Sequence, residues 1–77
     1  MSRRLPRVTA DEIVQVLQKV GFVLARQSGS HQIYKSSTGK RVTVPYHKGK
    51  ILHPKVLASI LKDTDLSREA LKKLLGK

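Results

Sequence analysis

GFVLARQSGSHQIYKSSTGKRVTVPYH, residues 21–47, is the stretch whose reading decides the fold. Hydrophobic periodicity changes from 3.6 to 2 after Gly21, the change expected where a helix gives way to strands. Phe22-Val23-Leu24-Ala25-Arg26 reads as a first strand, ended by the turn formers Ser28-Gly29-Ser30. His31-Gln32-Ile33-Tyr34-Lys35 reads as a second strand, Ser36–Lys40 as a loop, and Arg41-Val42-Thr43-Val44 as a third. Pro45 has no amide proton to give a ladder and marks the strand's end or a sheet edge. Connections this short cannot hold a parallel crossover, so the three strands form an antiparallel meander.

Upstream, Thr9-Ala10-Asp11-Glu12 is a capping box, with Val8 and Ile13 spaced as its hydrophobic staple. Ile13, Val16, Leu17 and Val20 make one apolar stripe, and Gly21 occupies the left-handed position that closes a helix. A first helix is therefore expected over about residues 9–20. Downstream, Pro54 suits the first position of a second helix, whose stripe is Val56, Leu57, Ile60 and Leu61. Asp63-Thr64-Asp65 is expected to break it. Ser67 then caps a short third helix that turns Leu71, Leu74 and Leu75 inward, with Leu66 and Leu71 as a second staple. The order is α-β-β-β-α plus a terminal helix. It implies an α+β fold of two layers, a three-stranded antiparallel sheet with helices on one face. This succession is the one found in double-stranded-RNA-binding domains. Residues 1–7 read as a flexible basic tail, and 8–77 as a single domain.

Composition narrows function. Sixteen Lys and Arg against five Asp and Glu give a net charge of +11 over 77 residues. Such an excess repels itself in the compact state, so a chain that keeps it puts it to use, and phosphate backbones are the commonest counterpart. A chain this short buries only a small core. It has no cysteine, which excludes disulfides and thiolate metal sites. No apolar run approaches a membrane span or a secretory signal, so the expectation is a soluble, cytoplasmic protein. His47 and His53 stand six apart without the further ligands that zinc requires, so neither a metal site nor a cofactor is expected.

His31 stands where a tight turn meets a strand. Gly29 lets the backbone turn or approach a ligand, and Ser30 offers a hydroxyl and an amide beside it. Arg26 and Lys35 bring cations within reach. An imidazole among groups that gather phosphate suits acid–base chemistry on RNA. A lone histidine on a strand is also an ordinary surface residue, and local sequence alone does not choose between the two.

Gly21-Phe22, then Arg26 to His31 with its Gly-Ser-His, then Val42-Thr43-Val44-Pro45-Tyr46-His47 resemble, in order and spacing, the HicA family of toxins. The helix ending Ser59-Ile60-Leu61-Lys62 is similar as well, so the resemblance spans about residues 9–62. Tyr34 departs from the phenylalanine of many members, and some members lack the third helix. The resemblance implies a double-stranded-RNA-binding-like fold and metal-independent cleavage of messenger RNA. It also implies inhibition by a HicB-type antitoxin that masks His31. It places the catalytic histidine at His31, supported by Gly29 and Ser30. Around them, Arg26, Lys35, Lys40, Arg41, His47, Lys48 and Lys50 are the expected RNA-binding residues. His47 is either the second proton-transfer group or simply a loop residue. The rival readings are a non-catalytic RNA-binding module and a small DNA-binding protein that reads with the Pro54–Lys62 helix.

Overall fold

The computed structural model describes residues 6–76, so five residues of the expected basic tail lie outside the described residues. The elements are α1 (Ala10–Lys19), β1 (Val23–Ser28), β2 (His31–Lys35), β3 (Arg41–Pro45), α2 (Pro54–Thr64) and α3 (Arg68–Leu75).

Each helix begins and ends on local chemistry. At α1 the Glu12 amide donates to the Thr9 hydroxyl at 3.2 Å, and the Thr9 amide donates to the Glu12 carboxylate at 3.0 Å. Val8 and Ile13 flank this cap and are both fully buried, as a staple requires. The helix closes with Gly21 at φ +95°, the Gly21 amide donating to Gln18 and the Phe22 amide to Leu17. That pair of bonds satisfies orphan carbonyls and turns Phe22 into the core. At α2 the His53 ring Nδ1 accepts from the Lys55 amide at 3.0 Å, and Pro54 takes the first helical position. At α3 the Ser67 hydroxyl accepts from the Ala70 amide at 3.0 Å.

Two boundaries differ from the sequence reading. Asp63 and Thr64 do not break α2. Thr64 is buried and its hydroxyl donates to the Ile60 carbonyl at 2.8 Å, a bond within the helix that removes the cost of burying it. The break comes at Asp65, the one non-glycine described residue with positive φ, at +61°. The first strand, in turn, runs over Val23–Ser28 rather than Phe22–Arg26. Phe22 is taken up by the end of α1, and Ser28 pairs with His31 across a two-residue turn.

The sheet has the order β1-β2-β3, antiparallel throughout. Tyr34 lies opposite both Leu24 and Val42, and Gln32 opposite Val44. Val42, Val44 and Tyr34 are buried on that face, against Ile13, Val16 and Leu17 of α1 and Leu57, Ile60 and Leu61 of α2. Burial and the Tyr34 hydroxyl's bond to Gln32 at 2.7 Å make Tyr34 part of the core, and burial raises its phenol pKa. Leu71 fastens α3 to this core, and the Lys19 ammonium reaches the Leu74 carbonyl at 2.7 Å. The helices pack chiefly on β3. Every residue of β1 is exposed.

Candidate functional site on the open sheet face

The residues that alternate with the buried set point away from the helices. Register places them in three rows across the sheet: Ser28, His31 and Pro45; then Arg26, Ile33 and Thr43; then Val23, Lys35 and Arg41. His31, Arg26, Lys35, Arg41 and Thr43 are all exposed. Three of the predicted cations thus share one face with the predicted catalytic histidine.

His31 is held there by the turn before it. Ser28 and His31 flank a two-residue loop in which Gly29 has φ +58°, the sign pattern of a type II′ hairpin. A β-carbon at Gly29 would meet no atom within 4 Å, so the backbone angle demands glycine, not crowding. The Gln27 side-chain amide donates to the Gly29 carbonyl at 3.3 Å and steadies the turn. On the far side, the Tyr46 amide donates to the Ser30 carbonyl at 2.6 Å. This bond carries the ladder one step past Pro45 and brings the chain bearing His47 beside the turn. The Tyr46 phenol donates to the Asp11 carboxylate of α1, and that bond raises its pKa.

The loop after β3 is also built on a turn. The Lys50 amide closes a turn on the His47 carbonyl at 3.0 Å, with Gly49 at φ +76° as a type II turn requires. Its far end is tied to the entry of α1 by Ala10 to Lys50 and Leu52 to Val8 bonds. His47, Lys48 and Lys50 are exposed on it, at the His31 end of the sheet. Lys40 is the candidate that the fold does not bring to this face. Its ammonium lies 2.7 Å from the Asp65 carboxylate at the end of α2, and this partner lowers the Asp65 pKa. His53 is a helix cap, and among the described residues no three His, Asp or Glu side chains gather as a metal site.

Sequence reading also passed over a signal. From Ile13 to Lys62 the chain has no Asp or Glu, so the whole sheet is free of acids. Asp11, Glu12, Asp63, Asp65 and Glu69 all stand on helices or their caps. The acids are therefore confined to the helical layer, which leaves an unopposed cationic face around His31.

The family model described as HicA toxin of bacterial toxin-antitoxin matches residues 10–66, from the first residue of α1 to just past α2. The chain belongs to the HicA toxin family. A search of curated proteins gives no match. Membership makes this HicA-family chain a toxin and implies a toxin–antitoxin partner. The matched span contains the whole sheet and ends before α3 begins. No helix among the described residues is long and apolar enough to cross a membrane.

Proposed function

We propose that this toxin is an endoribonuclease that cleaves messenger RNA with His31 as its acid–base group and no metal requirement. The observation that carries the reading is the placement of His31, exposed at the end of a sheet face that bears cations and no acid. The cations concentrate the phosphate backbone. The type II′ turn fixes the His31 backbone while leaving its ring open to substrate.

In the first step the His31 ring nitrogen takes the proton of a ribose 2′-hydroxyl, and the 2′-oxygen bonds to the adjacent phosphorus. Negative charge then grows on the phosphate oxygens, where the Lys48 loop supplies positive charge. The bond from phosphorus to the 5′-oxygen breaks, and that oxygen takes a proton from a second donor. The products are a 2′,3′-cyclic phosphate and a 5′-hydroxyl. His47, carried next to the Gly29-Ser30 turn by the Tyr46 bond, is the histidine nearest in register to fill the donor role.

A HicB-type antitoxin inhibits this chemistry by covering the open face. An acidic partner there would neutralise the cations and bury His31 together. The test is to incubate the protein with a defined messenger RNA in EDTA beside His31→Ala and to map the ends. Cleavage by the wild type alone, leaving cyclic phosphates, is expected. Tight RNA binding with no cleavage by either protein would replace this reading with a non-catalytic RNA-binding module.

A further inference from the structure

The far end of the open face carries a cost that the fold does not need. Lys35 and Arg41 are direct cross-strand partners on the exposed side of β2 and β3. Like charges placed opposite each other destabilise a sheet. Among the described residues no ion pair to an acid relieves either of them.

A third cation is steered to the same place. The pairing of β1 with β2 shifts by one residue between Leu24 and Arg26, a bulge at Ala25. With the register of Val23 and Leu24 continued, Arg26 would lie opposite Gln32, on the helix-facing side. With the bulge it lies opposite Ile33, on the open side, and bulges commonly re-aim a side chain in this way. Arg26, Lys35 and Arg41 line one groove of about 210 Å³, floored by Ala25 and Ile33.

We propose that this groove is a backbone-phosphate subsite for single-stranded RNA, set apart from the scissile position and fixing a minimum substrate length. It rests on the ribonucleic-acid reading of the open face. Guanidinium groups grip phosphate through paired charge-assisted bonds, and the ammonium adds a point charge. Lys35 is four residues along β2 from His31, about 13 Å at about 3.3 Å per residue. A single strand lying along the face must span that distance to touch both sites. A substrate must therefore extend to one side of the cut before it reaches the groove.

The experiment measures binding of oligouridylates of two, four, six and eight nucleotides to His31→Ala protein across a salt series. Affinity is expected to step up where the oligomer first spans from His31 to the groove, between two and six nucleotides. In K35Q/R41Q that step disappears. The slope of log affinity against log salt flattens by about 1.4, at about 0.7 for each phosphate of a single strand that is no longer neutralised. K62Q/K72Q removes two exposed lysines of the helical layer and keeps both step and slope. Circular dichroism confirms that each variant is folded. The proposal is overturned if K35Q/R41Q binds every length as K62Q/K72Q does. Because the readout is binding, a wild type that fails to cut RNA defeats the ribonuclease reading and leaves the groove intact. A missing step in a protein that cuts does the reverse.

Discussion

β3 and β1 are both edge strands of one small sheet, yet they are built for different ends. Along β3, exposed and buried residues alternate, and Val42 and Val44 sit in the core under α1 and α2. Along β1, nothing is buried, and Val23 and Leu24 are 65% and 49% exposed. The helices cover one half of the sheet and leave the other half projecting. One half carries the stability, and the open face running out from it carries the charge and His31.

The largest expected effect separates chemistry from stability. His31→Ala should slow RNA cleavage by about 10²–10⁴-fold, the usual contribution of a positioned acid–base group. Its unfolding free energy should stay within about 0.5 kcal/mol of wild type, as for other exposed substitutions. End-labelled RNA assays and urea melts check the two halves of the statement. A large loss of stability would mean that the open face is structural after all.

On the covered half, Leu57→Ala should cost about 2–5 kcal/mol, since Leu57 is fully buried between α2 and β3. Chemical denaturation measures it. The comparison becomes sharper with one substitution made twice. Val44→Thr buries a hydroxyl and should cost about 1–3 kcal/mol, while Val23→Thr should change stability by less than about 0.5 kcal/mol. Equal costs at the two sites would erase the distinction between the strands.

A smaller effect has the opposite sign. Arg41→Gln removes a like-charge pair from the open face and should stabilise the fold by about 0.2–1 kcal/mol at low salt, with the gain fading as salt rises. Smallest is the surface pair of Lys40 with Asp65. Lys40 lowers the Asp65 pKa through a hydrogen bond and its charge, so the stabilisation exists above the ordinary carboxylate range. It is lost as pH falls through the lowered value. Thermal melts from pH 7 to pH 2 should show this small loss in the wild type and not in Asp65→Asn.

What the sequence made legible was whatever local chemistry writes. The Thr9-Glu12 box, Gly21, Pro54 and the period-two alternation of Arg41–Val44 each name a structure within a few residues, and each is found. The Gly29-Ser30-His31 turn was legible for the same reason. The side chains' destinations were less so. Nothing in Leu24-Ala25-Arg26 marks a bulge, because neither glycine nor proline is needed for one, and the bulge alone decides which face Arg26 joins. Lys40 reads as one more cation until the fold places Asp65, 25 residues later, against it. Thr64 reads as a helix breaker until its hydroxyl finds the Ile60 carbonyl. Val23 and Leu24 are apolar yet exposed, Val23 because it falls on the open face and Leu24 because the helices pack chiefly on β3.

The Ala25 bulge has a colloidal consequence as well. An open edge of amides and carbonyls invites another chain to pair with it and grow a continuous sheet. In β1 the bulge breaks the hydrogen-bond spacing midway, and Arg26 follows at once with a charge. Neither side of the break offers the six or seven regular, uncharged residues from which fibrils nucleate. The same irregularity that turns an arginine toward the open face thus makes β1 a poor template for edge-to-edge pairing.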